Sequence, residues 1–85
     1  MAKVEIYTTP ICPFCIRAKY YLDRQEIPYQ EINVMSDPDK RQEMVERSQG
    51  GTTVPQIFID NQPIGGCDDL YELAANGELN ALLHA

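Results

Sequence analysis

Cys12-Pro13-Phe14-Cys15 follows a short alternating stretch, Lys3 to Thr8, and precedes a segment with helical periodicity. Two cysteines in this spacing stand one helical turn apart, where side chains at i and i+3 are neighbours with Cβ atoms about 5–6 Å apart. Slight tightening of the turn brings them to the roughly 3.8 Å that a disulfide requires, so the pair opens and closes with little backbone movement. Pro13 suits the first helical position, where its missing N–H is no loss and its φ is already helical. That puts Cys12 at the helix cap facing solvent and Cys15 inside the first turn.

A helix start favours an anion, through its unpaired N–H groups and the positive end of its dipole. The dipole alone supplies about 0.3–1 kcal/mol, less than one pKa unit at roughly 1.36 kcal/mol per unit. Bringing a thiol into the reactive range takes more. The remainder is assigned to hydrogen bonds onto the Cys12 sulfur from the N–H groups of Phe14 and Cys15, with a screened contribution from Arg17 and Lys19. Cys12 is thus the expected nucleophile and Cys15 the resolving thiol. The competing readings are two unrelated buried cysteines and a structural zinc site, but zinc needs four ligands and only Cys67 and His84 remain as further candidates. No metal is expected.

Composition narrows the class. Eighty-five residues are expected to form one domain, residues 1–85, with a small core. The net charge of −6 is uneven, because all seven Lys and Arg lie in residues 1–47 and none follows Ser48. An acidic chain without a basic patch is a poor nucleic-acid binder. No segment approaches the length of a membrane span, and the opening Met-Ala-Lys-Val-Glu-Ile is charged where a signal peptide needs an apolar core. A cytoplasmic location is expected, a compartment where a CxxC is more often catalytic or metal-binding than a staple. Three cysteines, an odd number, also argue against a secreted disulfide framework.

Lys3 to Thr8 alternates, with Val4 and Ile6 on one side and Glu5 and Tyr7 on the other, and reads as a strand. Pro13 to about Gln25 turns helical, with Phe14, Ala18, Tyr21 and Leu22 on one stripe. Tyr29 to Val34 reads as a second strand. Ser36 or Asp37 caps a helix that begins near Pro38, buries Met44 and Val45 and stops at Gly50-Gly51. Val54 to Ile59 is apolar enough for an interior strand. Asp60-Asn61-Gln62 turns into a short strand at Pro63-Ile64, which must run antiparallel to it. Asp68 or Asp69 caps a third helix, Asp69 and Glu72 having capping-box spacing. Leu79, Leu82 and Leu83 suggest a last helical turn or two. The order β-α-β-α-β-β-α, with a right-handed first crossover, predicts an α/β fold of the thioredoxin-like kind: a four-stranded mixed β-sheet flanked by helices, with CxxC at the carboxyl end of the first strand.

On these residues the chain resembles a glutaredoxin of the short bacterial dithiol kind. The resemblance rests on Cys12-Pro13-Phe14-Cys15, on Thr53-Val54-Pro55 before a strand, and on Gly65-Gly66-Cys67-Asp68-Asp69 before a helix, in an order that covers nearly the whole chain. Phe14 stands where the family commonly has Tyr. The resemblance implies glutathione as co-substrate, with contacts from Phe14, Thr53, Val54, Pro55, Gly66, Cys67 and Asp68. It implies a cis Pro55, which turns the Val54 backbone toward Cys12 to pair with the cysteinyl part of glutathione like an added strand. Asp68 would accept from the γ-glutamyl ammonium, while the Cys67 and Asp68 N–H groups suit its carboxylate. The Cys67 side chain is read as a small filler.

Many relatives carry Lys three residues before the first cysteine, where this chain has Thr9; Arg17, Lys40 and Arg41 are candidates to replace it. Implied clients are disulfide-containing and glutathionylated proteins, ribonucleotide reductase among them, served by a monomer. The alternative is a carrier in which two chains hold a [2Fe-2S] cluster through Cys12 and two glutathiones.

Overall fold

The computed structural model describes residues 2–84; Met1 and Ala85, the ends of the expected 1–85 domain, lie outside the described residues. The elements are β1 (Val4–Thr8), α1 (Pro13–Arg24), β2 (Gln30–Asn33), α2 (Pro38–Arg47), β3 (Gln56–Ile59), β4 (Gln62–Gly65), α3 (Cys67–Ala75) and α4 (Glu78–Leu83). They form a four-stranded sheet in the order β2-β1-β3-β4. β1 and β2 are parallel, joined by the α1 crossover, while β1–β3 and β3–β4 are antiparallel. This is the expected mixed sheet of a thioredoxin-like fold.

The sheet is covered on both faces, and its alternating residues divide between two cores. Val4, Ile6, Ile57 and Ile59 pack with Ala18 and Leu22 of α1, Leu70 of α3, and Leu79 and Leu83 of α4. Tyr7 and Phe58 point the other way, into a smaller core with Val34 and Met44 of α2. All five residues of β1 are therefore buried, the charged Glu5 included. Glu5 is tolerated there because Arg47 of α2 reaches it with two nitrogens, at 2.9 and 3.2 Å. The alternation in β1 separates one core from another, not core from solvent.

Several boundaries differ from the sequence reading, each for a local reason. The third strand begins at Gln56 instead of Val54, because its pairing with β1 starts at Gln56, opposite Tyr7. β2 is a residue shorter at each end than Tyr29 to Val34, although the Val34 N–H still donates to the Thr8 carbonyl at 2.9 Å. Asp37, not Ser36, caps α2, accepting from the Lys40 N–H at 3.1 Å. The hairpin turns on Asp60 and Asn61, both at positive φ (50° and 68°), as a tight connection between right-twisted strands requires.

Two carboxyls tie elements together and make stability depend on pH. Glu31 of β2 accepts from Lys19 of α1 at 2.9 Å and from the Thr8 hydroxyl at 2.7 Å, and these bonds hold its carboxyl below the usual range. The Tyr7 hydroxyl donates to Glu43 of α2 and lowers that carboxyl too. A depressed carboxyl stabilises the fold above its unfolded value, about 4.3, and that stability is lost as pH falls through the lower folded value. The melting temperature should hold between about pH 7 and 5 and decline below about pH 4, with a shallower decline in Glu31→Gln. Thermal melts followed by circular dichroism check this; equal acid sensitivity in the variant would count against the Glu31 contribution.

Candidate active site

β1 delivers the chain to Cys12 through Thr9-Pro10-Ile11, and α1 starts at Pro13. Cys12 is the N-cap of α1, extended at φ −100° and ψ 110°, and partly exposed. Its sulfur accepts from the Cys15 N–H at 3.1 Å. Of the two N–H donors expected on this sulfur, Cys15 alone makes the bond. An N-cap side chain takes its bond from the second or third helical residue, and here the third, Cys15, supplies it in place of Phe14. The Cys12 sulfur also lies 3.6 Å from the Val54 carbonyl, to which its thiol form donates.

Cys15 is fully buried. Burial, and then the hydrogen bond with Cys12, push its thiol up to about 12, against opposing pulls from the Thr9 N–H and Lys19. It therefore carries its proton at neutral pH. Two thiols three residues apart in sequence thus meet solvent differently, one at the cap and the other in the core. No disulfide joins them, and Cys67 is likewise a free thiol.

Beside the pair lies a cleft of about 480 Å³. Every residue the sequence singled out for glutathione lines it: Phe14 on one wall, Thr53, Val54 and Pro55 on the second, and Gly66, Cys67 and Asp68 on the third. The Val54–Pro55 bond is cis, as the resemblance implied. Phe14 departs from the buried stripe the sequence suggested and is 54% exposed. In the first turn of α1 the buried position goes to Cys15, and the aromatic ring opens onto the cleft.

The third wall is built differently from the sequence reading. Gly66, not Asp68 or Asp69, is the N-cap of α3. Asp69, at the third helical position, reaches back and accepts from the Gly66 N–H at 2.9 Å. Capping-box spacing thus applies to Gly66 and Asp69, not to Asp69 and Glu72. Glycine lacks the side-chain half of the box, and this hid the pattern. It stands there because the backbone passes close to the cis-proline loop: a Cβ on Gly66 would sit 3.3 Å from the Pro55 carbonyl oxygen. Gly65 has a φ of +105°, and a Cβ on it would meet the Asp69 carboxylate at 2.2 Å.

Asp68 is thereby left exposed, its carboxylate at the amino end of α3. Cys67 is buried, burial pushes its thiol up, and it belongs to the larger core as a filler. Gln56, Gly65 and Asp69 also line the cleft, and sequence reasoning gave them no site role. Gln56 ties the proline loop by donating to the Thr53 carbonyl at 2.9 Å.

The three cations named as replacements for the missing lysine are separated by their partners. Lys40 pairs with Glu43 at 3.5 Å, and the Arg17 guanidinium lies 5.2 Å above the Tyr71 ring. Arg41 donates to the Thr52 carbonyl at 2.7 Å, at the entrance to the proline loop. Among the described residues no cluster of His, Cys, Asp and Glu could hold a metal ion, and no helix is long and apolar enough to cross a membrane.

Comparisons with known proteins agree with this geometry. A sequence profile of the glutaredoxin family matches residues 4–64. Glutaredoxin 3 of Escherichia coli K12 is 57% identical over 83 residues, which cover 98% of this chain and 99% of that protein. The solution structure of glutaredoxin from Brucella melitensis superposes with a TM-score of 0.83 at 49% identity, covering 98% of this chain and 89% of that one. The crystal structure of a buckwheat glutaredoxin–glutathione complex superposes with a TM-score of 0.85 at 32% identity, covering 98% and 77%. Because the profile runs from β1 through both cysteines and the cis-proline to the second strand of the hairpin, the chain belongs to the glutaredoxin family, as a glutaredoxin 3-like thiol–disulfide oxidoreductase.

Proposed function

We propose that this chain reduces protein–glutathione mixed disulfides and protein disulfides, with Cys12 as nucleophile, Cys15 as resolving thiol, glutathione as co-substrate and no metal. The observation that carries this reading is the asymmetry of the pair. Cys12 is accessible at the cap with the Cys15 N–H on its sulfur at 3.1 Å, while Cys15 is buried. In the monothiol route the Cys12 thiolate attacks the glutathione sulfur of the mixed disulfide. A Cys12–glutathione disulfide forms, the bond to the client breaks, and the client sulfur leaves with the electron pair and takes a proton from solvent. A second glutathione thiolate then attacks the bound glutathione sulfur, releasing oxidised glutathione and the Cys12 thiolate.

In the dithiol route Cys12 attacks a protein disulfide. Cys15, once deprotonated, attacks the Cys12 sulfur and releases the client as a dithiol. Two glutathiones reduce the resulting 12–15 disulfide, and family potentials of about −200 to −230 mV lie within reach of the glutathione pool. Glutathione lies in the cleft, its cysteinyl backbone along Val54, its aliphatic part against Phe14 and its γ-glutamyl end at Thr53, Gly66, Cys67 and Asp68. We assign its glycine carboxylate to the other end, where Arg41 stands beside Thr52. The chain acts as a monomer of one domain, residues 1–85, in the cytoplasm, on clients that include glutathionylated proteins and ribonucleotide reductase. Turnover coupled to NADPH through glutathione reductase tests the reading. Failure of that coupling, or a visible cluster spectrum after anaerobic reconstitution, would turn it toward the cluster carrier.

Thr9 stands where a lysine would add a further cation for glutathione. Thr9→Lys is expected to lower KM for a glutathionylated substrate by about 1.4- to 5-fold, the reach of an exposed ion pair of about 0.2–1 kcal/mol. An unchanged KM would remove that position from the binding site.

A further inference from the structure

Behind the buried cysteine lies a charge pair that the proposed reaction does not yet use. Lys19 is one helical turn beyond Cys15 on α1, so the two side chains leave the same face. Lys19 does not extend into solvent; its ammonium is folded toward β2 and bound to Glu31 Oε2 at 2.9 Å. The same oxygen accepts from the hydroxyl of Thr8 at 2.7 Å, and Thr8 is itself 1% exposed on β1. The next residue, Thr9, has its backbone N–H on the Cys15 side, where it favours the thiolate. Glu31 thus links β2 to α1 through Lys19 and to β1 through Thr8. The groups that act on the Cys15 thiol are the Cys12 sulfur and Lys19 from α1 and the Thr9 N–H that follows β1, with Glu31 of β2 bound to Lys19.

We propose that Lys19 is a positioning residue for the resolving step, its ammonium held beside Cys15 to favour the thiolate, with Glu31 tempering how much of that charge the sulfur feels. The inference rests on the reading of Cys15 as the resolving thiol. In that step the proton of Cys15 passes to solvent. Its sulfur then forms the bond to Cys12, the Cys12–glutathione bond breaks, and glutathione leaves with the electron pair and takes up a proton. No outside oxidant is needed, because the disulfide is exchanged and not made anew. Burial raises the Cys15 thiol, so its thiolate fraction limits this step at neutral pH.

The pair offers a test that separates charge from scaffolding. Removing either partner breaks the same bridge between α1 and β2, so a purely structural pin predicts effects of one sign. An electrostatic role predicts opposite signs: Lys19→Met withdraws the favourable charge, whereas Glu31→Gln releases it while keeping an acceptor for Thr8. Reduced protein is mixed with oxidised glutathione, and quenched-flow mass spectrometry follows decay of the Cys12–glutathione adduct to the closed 12–15 form across pH. Each tenfold change in thiolate fraction should alter closure about three- to fourfold, since a less basic sulfur is also a weaker nucleophile.

We expect Lys19→Met to close about three- to fourfold more slowly, Glu31→Gln to close faster by a smaller factor, and Lys19→Arg to close like wild type. Effects of one sign, or none, overturn the role of Lys19 and leave the resolving role of Cys15 standing. Wild-type protein that never converts adduct to closed form overturns both. Lys19→Arg, which keeps the charge and the bridge, also decides the matter should Lys19→Met fold poorly: slow closure in the arginine variant refutes the charge assignment.

Discussion

Cys12→Ser should show no measurable turnover of either a protein disulfide or a glutathionylated substrate, a loss of about a thousandfold or more. Both routes begin with an attack by this sulfur, and serine in its place keeps the cap but has no accessible anion. Cys15→Ser should behave differently. It is expected to retain reduction of the glutathionylated substrate, since a second glutathione completes that cycle, and to lose the conversion of protein disulfides through the 12–15 form. The comparison uses the glutathione-coupled assay with both substrates and both variants. An active Cys12→Ser protein would falsify the assignment of the nucleophile. A Cys15→Ser protein dead toward both substrates would instead make the buried thiol indispensable to the monothiol cycle, which the proposed mechanism does not allow.

The split between the cysteines was legible in the sequence because it follows from helix geometry. A proline after the first cysteine fixes where the helix begins, and three residues later the chain has turned inward. The order of elements was legible for a similar reason: apolar runs, Pro38, Gly50-Gly51 and the Asp60-Asn61 turn punctuate the chain locally. What stayed hidden depends on contacts between distant segments. Gly66 does not advertise itself as a helix cap, since its side-chain half of the motif is missing and the reason for glycine is the approach of Pro55. Phe14 fits a helical stripe by spacing, yet Cys15 takes the buried place in that turn and the ring faces the cleft. Glu5 has the alternation of a solvent-facing residue, and only the arrival of α2, whose Arg47 is 42 residues later, allows it to be buried.

That buried contact sets the largest stability effect expected in the chain. The Glu5 side chain is only 8% exposed, and its carboxylate is met by Arg47 at 2.9 Å and approached by Lys3 at 3.9 Å. Arg47 also donates to the Tyr7 hydroxyl at 2.7 Å and to Asn61 at 3.2 Å, and its guanidinium lies 4.2 Å above the Phe58 ring. One side chain on α2 thus ties β1, β3 and the hairpin turn together. These partners hold the guanidinium in its charged form.

Arg47→Met keeps much of the packing on Phe58 but leaves the Glu5 carboxylate with only a distant lysine. Stranding a buried charge in this way costs about 3 kcal/mol, and for a domain of this size that lowers the melting temperature by roughly 12–24 °C. Adding Glu5→Leu removes the stranded charge, and the double variant should return to within about 1 kcal/mol of wild type. Urea melts of the two single variants and the double variant measure the coupling. Additive losses would mean that the two residues stabilise the sheet independently, and the pair would lose its central place. Because α2 also carries Arg41 to the Thr52 carbonyl, Arg47→Met should loosen the approach to Pro55 and raise KM for glutathione, and the double variant should restore it together with stability.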